Sequence, residues 1–472
     1  MKYKKIELIL ILGLLGLNLF AMEDRSDHIV GYQWYEEPER VDLKKDFTLN
    51  ECVENLKDIV YLLESSYIGF DEMEKRGFDK EAFIKNSESL FSNEKTIKLE
   101  KLSEYIFNSL KPYINDGHFY MRSGDNSYKF YVKKVIYLSD TYVMKSSSRY
   151  KVVESGQISP GIEIDISEEN LFKTIHNGKE VFRLGVLASN GERDYTKFLP
   201  VSVNGEKIRL TCTYFPKTLS SNEFTVIETK NSVYINIPIF DTHEEHFEVF
   251  KKLGKKYWNK KNLIIDLRQN PGGENLYFYD FLYDLYSGED DESIRTIYND
   301  YLGNNIKTKN ISSPLIKQLI KPYYDYYMSI GEKLFADELL KVLNSSGITY
   351  KENSTVKIEK KTKFKGNLIF LTSKKSASCS EDIIMVSKEL FNKVYTVGTN
   401  TSGSLLFGNV FTYGLKNSGI ILKVCQTQYF YNDVFEEGRG IMPDYVVSGS
   451  FEDTIKFLTN DKEMVKKLAI LN

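Results

Sequence analysis

The chain has 472 residues, with 42% hydrophobic and 27% charged residues and a formal net charge of −3. That balance excludes a low-complexity or disordered chain, leaves room for several domains, and gives no reason to expect nucleic acid as a partner. The four cysteines, Cys52, Cys212, Cys379 and Cys425, lie far apart without a CxxC pair, which excludes zinc-ribbon spacing and leaves three disulfide pairings open, none of them obligatory at this length.

The chain opens with Lys2, Lys4 and Lys5 ahead of an apolar run from Leu8 to Phe20, with Ala21 at a cleavage position. The run is shorter than a comfortable bilayer span, so residues 1–21 are expected to be a signal peptide and the protein secreted or periplasmic. The alternative is an uncleaved membrane anchor. Residues 22–47 are polar and mixed and read as an extended lead-in. Over residues 48–124 the period is helical. Leu56, Ile59, Val60 and Leu63, then Leu99, Leu102, Ile106 and Leu110, recur at three- and four-residue spacing, with Thr48 or Asn50 and then Asp79 as caps. Pro112 stops this helical domain. The tight-turn signal Asn115-Asp116-Gly117 follows, and His118 heads a strand-like run, Phe119 to Met121.

Residues 125–230 are strand-rich. Phe130–Val132, Val135–Leu138, Tyr142–Met144 and Ile208–Tyr214 are separated by glycine turns. This middle domain reads either as a structural spacer or as a degenerate PDZ-like peptide-binding module. From Asn231 to residue 460 the texture is α/β. Strands are expected at Val233–Ile237, Leu263–Arg268, Leu368–Leu371, Val394–Val397, Ile420–Val424 and Thr427–Phe430. Helices are expected at His243–Lys256, Leu276–Tyr286 and Phe451–Leu458. His243 and His246 stand three apart on one helix, but a solvated face fits better than a metal site, since no third ligand is evident. Residues 288–365 form an insertion, read as a lid over a cleft or a packing excursion, and residues 461–472 a tail.

The stretch Lys375-Ser376-Ala377-Ser378-Cys379-Ser380-Glu381-Asp382 sits between a buried strand and a helix. A turn of small residues there exposes a serine hydroxyl beside free backbone N–H groups, the two parts acyl transfer needs. The bland reading is a helix start capped by Ser380.

Four stretches taken in order change that weighing: Asn115-Asp116-Gly117-His118, Asp266-Leu267-Arg268-Gln269-Asn270-Pro271-Gly272-Gly273, Ser376 to Glu381, and Glu437-Gly438-Arg439-Gly440-Ile441-Met442-Pro443-Asp444. Together they resemble the tail-specific (C-terminal-processing) serine protease family, and in particular its tricorn-core-like branch. The resemblance implies a crotonase-like, ClpP-like α/β catalytic core behind the helical and β-rich domains. It implies a protein or peptide substrate, no cofactor and no metal, and it makes Ser378 the nucleophile. The family's oxyanion donors fall on the N–H of Cys379 and of Gly272, or Gly273 one register on. The lysine of the Ser–Lys branch would stand where Gly398-Thr399-Asn400-Thr401-Ser402-Gly403-Ser404 places Ser404, so that dyad is lost. The tricorn-like branch uses a histidine from before the core, oriented through a serine and a glutamate. The histidine falls on His118 and the glutamate on Glu437. The serine preceding the histidine is replaced by Gly117, which leaves Ser404 or a water to orient the ring. Asp266 and Arg268 read as structural ions, and Glu381 as a first-turn carboxylate favoured by the helix dipole. The competing expectation is a catalytically inactive family member acting as an extracytoplasmic peptide- or protein-binding module.

Overall fold

The structure, a computed structural model, describes residues 24–32, 44–189, 195–214, 221–240, 246–274, 276–286, 306–329, 331, 333–351, 362–431 and 435–470. It is mixed α/β, with helices and three large sheets among these residues. The 1–21 leader and His243 lie outside them. No helix of the described residues is long and apolar enough to cross a membrane.

The sheet that positions the site runs Thr225–Glu228, Ser232–Asn236, Asn262–Asp266, Asn367–Thr372, Val394–Gly398 and Tyr445–Val446 in spatial order. Every neighbouring pair after the first is parallel. Ser232–Asn236 and Asn262–Asp266 are buried at every position, as expected where helices and packed segments cover both faces of a parallel sheet. The helices Leu276–Tyr286 and Cys379–Leu390 contribute Phe278, Phe281, Leu282, Ile383 and Ile384 to the apolar cluster on one face.

The N-terminal helices form as the periodicity predicts. Helix Leu49–Ser66 begins with a reciprocal box in which Thr48 Oγ1 accepts from Glu51 N at 3.3 Å while Glu51 Oε2 accepts from Thr48 N at 2.8 Å. Asp79 caps Lys80–Phe91 through Ala82 N at 2.9 Å. These helices share one apolar cluster with Ile311, Leu315, Leu319, Phe407, Leu422 and Cys425. The described part of the insertion, strand Ile306–Ser312 with helices Pro314–Ser329 and Lys333–Asn344, therefore packs against the N-terminal helices. Lys309 is buried there, with its Nζ donating to Ile68 O at 3.1 Å and paired to Asp71.

The second sheet knits distant segments together. Ile29–Tyr32, within the expected lead-in, pairs with Phe407–Leu415, and Tyr120–Ser123, just after His118, pairs with Ile421–Tyr431. The third sheet, over residues 134–213, is antiparallel around its own core of Val135, Tyr137, Val152, Leu199 and Leu210.

Several expectations change. Lys134–Ser146 is one unbroken strand rather than two, carrying a bulge in which Ser139, Asp140 and Thr141 stand opposite the single residue Leu184 between the pairs Leu138–Gly185 and Tyr142–Arg183. A Cβ on Gly185 would lie 2.5 Å from Tyr137 O, so only glycine fits that approach. Ile421–Tyr431 is likewise one strand. Phe130–Val132 is not a strand. It crosses between sheets, anchored by Phe130, whose ring packs 5.1 Å from Phe107 and 4.8 Å from Phe119. The tail folds as helix Lys462–Ala469, capped by Asp461 and burying Met464 and Leu468. All four cysteines are buried and free, so none of the three pairings forms.

Candidate active site

The strand Asn367–Thr372 ends in a turn that delivers Ser378 to the start of helix Cys379–Leu390. Ser378 has φ +53° and ψ −118°, a region that residues with a Cβ avoid, at a cost of about 1–3 kcal/mol. Neighbouring hydroxyls hold the turn in place. Ser373 Oγ donates to Arg268 O at 2.6 Å, Ser376 Oγ to Leu267 O at 2.7 Å, and Ser380 Oγ to Asn270 O at 3.0 Å. Ser380 therefore ties the turn to the adjacent strand end and does not cap the helix.

Glu381 is the hub of this half of the site. Its carboxylate is fully buried and accepts from Ser378 N (3.0 Å), Ser404 N (2.8 Å), Gly403 N (2.6 Å) and Thr401 Oγ1 (2.5 Å). Burial pushes its carboxyl above the usual range while these donors pull it back. The expected first-turn carboxylate thus joins the Ser378 turn to the 401–404 loop.

The Asn270-Pro271-Gly272-Gly273 turn lies against Ser378. Gly272 has φ +104°, and a Cβ on it would fall 2.8 Å from Ser378 Cβ and 3.0 Å from Cys379 N. Gly273 has φ +128°, and a Cβ there would meet Phe240 O at 1.9 Å. Both positions require glycine. Gly272 N donates to Asn270 Oδ1 at 2.8 Å, so the first of the two expected registers is already occupied by an internal bond.

His118 sits on the loop between helix Leu99–Leu110 and strand Tyr120–Ser123. Its ring is 17% exposed, with Nδ1 buried and 3.9 Å from Asp116 Oδ1. Asp116 is fully buried, and its Oδ1 also accepts from His118 N at 2.7 Å. Burial, and then the charge of Lys133, hold His118 down to about 4, while burial pushes Asp116 up to about 6. Glu437 is placed differently from the expectation. Its Oε1 accepts from Gly117 N at 2.9 Å, and its Oε2 from Leu405 N at 3.2 Å and Leu406 N at 3.0 Å. It fixes the backbone that carries His118 instead of bonding the ring. Burial, and then the nearby Asp116, push its carboxyl up to about 8.

Ser404 is also re-aimed. Its Oγ pairs with Tyr131 OH at 2.9 Å and Ser402 Oγ at 3.2 Å. A Cβ on Gly117 would fall 2.5 Å from Ser404 Oγ and 2.9 Å from Glu437 Oε1. Glycine precedes the histidine because Ser404 fills that space. The two halves of the site meet here: Gly117 packs on Ser404, whose N–H shares the Glu381 carboxylate with Ser378 N–H.

Two lysines that the sequence did not single out complete the surroundings. Lys133 Nζ donates to Ser402 Oγ at 2.5 Å, and burial lowers its pKa. Lys374 Nζ donates to Lys134 O (2.5 Å) and Thr401 O (3.1 Å), and burial lowers it to about 7. Neither follows from a motif, because their segments join only in the fold. Asp266 and Arg268 form the expected structural pair, 2.6 Å apart, with Tyr234 OH donating to Asp266 Oδ2 at 2.7 Å. His246 stacks on Phe224 at 4.9 Å.

Residues 231–447 match the family model of peptidase family S41. No curated protein matches the chain. Among solved structures, mature CPAF complexed with lactacystin is 15% identical, with 89% of this chain and 97% of that chain covered and a TM-score of 0.43. The photosystem II D1 C-terminal processing protease is 13% identical, with 88% and 97% covered and a TM-score of 0.35. The tricorn protease is 14% identical, with 90% of this chain and 37% of that chain covered and a TM-score of 0.34.

Proposed function

With residues 231–447 belonging to peptidase family S41, and the chain on that ground a serine-type peptidase, we propose that it hydrolyses peptide bonds in extracytoplasmic proteins or peptides through an acyl-enzyme at Ser378, with His118 as general base. The observation that carries this reading is the strained backbone of Ser378 packed directly against the Gly272–Gly273 turn. Strain of that kind persists only where surrounding structure over-determines it, and here three neighbouring serines and Glu381 do so.

The reaction runs as follows. Ser378 Oγ attacks the scissile carbonyl, and its proton passes to His118. Nδ1 faces inward to Asp116, so Nε2 is the accepting nitrogen. The oxygen that becomes negative is met by the N–H of Cys379 and of Gly273, since the Gly272 N–H is committed to Asn270. His118 returns the proton to the leaving amine, and the same base then draws a proton from the water that releases the acyl group. Asp116 faces the imidazolium that forms. Glu437 and Ser404 are positioning residues, acting through Gly117.

The test is labelling of the purified chain with a fluorophosphonate, alongside turnover of an unfolded protein substrate. Labelling and turnover should vanish in Ser378→Ala, and turnover should fall about 10²–10⁴-fold in His118→Ala. Unchanged labelling in Ser378→Ala overturns the nucleophile assignment. No turnover by the wild-type chain favours the non-catalytic, peptide-binding reading.

A further inference from the structure

Beside the reacting groups lies a cluster that the proposed chemistry only partly uses. Asp116, His118 and Cys425 each offer one ligand-type atom, and these atoms all lie within 4.8 Å of one another. Cys425 Sγ is 3.8 Å from Asp116 Oδ1, and His118 Nδ1 is 3.9 Å from that same oxygen. Asp116 and Cys425 are fully buried. Two polar atoms of the cluster, Asp116 Oδ2 and His118 Nδ1, are buried without a hydrogen-bond partner. Buried polar atoms are normally satisfied, and orphans on adjoining side chains mark a place where an ion or water belongs.

We propose that Asp116, His118 and Cys425 bind a Zn²⁺ ion that reversibly switches off the general base. One nitrogen, one thiolate and one carboxylate form a donor set suited to zinc, leaving the fourth position to water. Tetrahedral zinc with bonds of about 2.0–2.3 Å sets its donors about 3.3–3.7 Å apart, so the widest pair of the cluster needs to close by about 1–1.5 Å. Cys425 is a fixed point, on the strand Ile421–Tyr431 with its carbonyl accepting from Ile68 N at 2.9 Å. Asp116 and His118 belong to a loop, which supplies the movement. The partly exposed His118 edge is the way in. The charge of Lys133 opposes a cation there.

The consequence for catalysis follows from the tautomer. Zinc on Nδ1 leaves the neutral imidazole with its one proton on Nε2. That nitrogen then donates and has no lone pair to accept the Ser378 proton. Binding releases the Cys425 thiol proton to solvent, and removing the ion restores both groups. No oxidant or reductant is involved.

The inhibitory part rests on the peptidase reading; the binding part does not. Co²⁺ titrated into the full chain serves as the spectroscopic probe and Zn²⁺ as the inhibitor. Co²⁺ should produce a near-ultraviolet thiolate-to-metal band that is absent in Cys425→Ala and retained in Cys212→Ala. If Cys425→Ala does not fold, His118→Ala carries the same reading, since it removes one of the three protein ligands and the band should be lost at the Co²⁺ concentration that gives it in the wild-type chain. Zn²⁺ should inhibit turnover, EDTA should restore it, and Cys425→Ala should need at least about tenfold more Zn²⁺ for equal inhibition. No band with the wild-type chain, a band that survives Cys425→Ala, or equal Zn²⁺ inhibition of that variant overturns the site. If the chain shows no turnover at all, the Co²⁺ arm still decides metal binding, so the two failures remain distinguishable.

Discussion

The two halves of the site are held by buried glutamates that work in opposite ways. Glu381 receives four donors, and one of them is the N–H of Ser378 itself. Glu437 receives three, none from the residue it serves, and reaches His118 only through the N–H of Gly117. Ser378, the proposed nucleophile, is therefore pre-set by bonds within its own turn. His118, the proposed base, is set by the placement of a backbone, with a ring whose inner nitrogen lacks a hydrogen-bond partner.

The comparison breaks most visibly at Gly117. A Cβ there meets Ser404 Oγ at 2.5 Å, so Gly117→Ala should push the His118 loop outward and lower kcat about 10²-fold, while fluorophosphonate still reaches Ser378. Ser404→Gly removes the obstacle, and the double variant should recover part of that loss. A single Gly117→Ala variant with wild-type kcat would show that the loop has no part in positioning the base.

Glu437 offers the next largest effect, on stability. Its carboxyl is pushed up to about 8 in the folded chain, against about 4.5 unfolded. Between those values the folded state keeps a proton that the unfolded state has lost. Stability therefore falls as pH rises from about 4.5 to 8, by about 1.4 kcal/mol per pH unit from this group. Glu437→Gln keeps the shape and removes the titration. Denaturant midpoints of the two proteins should lie close together toward pH 5 and separate toward pH 8, with wild type losing the more as pH rises. Parallel profiles would remove Glu437 as the source of the slope.

Much of the first half was legible in the sequence, and little of the second. The Ser378 turn, the Gly-Gly turn and their strands are contiguous motifs whose local chemistry is written in adjacent residues. Helix starts at Thr48 and Asp79 were readable for the same reason, since a cap is a local bond. The surroundings of His118 come from residues 116–118, 131–133, 402–404, 425 and 437, and no spacing rule joins them. Tyr131 was hidden inside a run, Phe130–Val132, that reads as a strand, and Lys133 directly follows it. In the fold that run leaves the sheet and turns its polar groups toward Ser402 and Ser404. Glu437 was identified by type and position, but its partner was not, because a carboxylate beside a histidine loop can bond either ring or backbone.

The smallest effect concerns His118 itself. Burial and the charge of Lys133 hold it down to about 4, so the proposed base stays unprotonated well below the usual histidine range near 6.5. The acid limb of kcat/KM should lie near pH 4. Lys133→Met should move it upward by less than the full shift, because burial is the larger cause. A limb at 6.5 in the wild-type chain would mean that His118 is solvated in the working enzyme.

The crossing segment that carries Tyr131 and Lys133 runs directly into the long strand Lys134–Ser146 of the middle sheet. At that seam Lys134 O accepts from Lys374 Nζ and from Asn400 Nδ2 at 2.9 Å, while Lys134 N donates to Gly438 O at 2.7 Å. The β-rich unit is thus tied to the segments that carry Lys374, Asn400 and Gly438 by the backbone of its first residue. Modularity fails at this point: excising or transplanting residues 134–214 as a cassette would remove the acceptor that Lys374 Nζ and Asn400 Nδ2 share and the N–H that meets Gly438 O, however neatly the ends were rejoined.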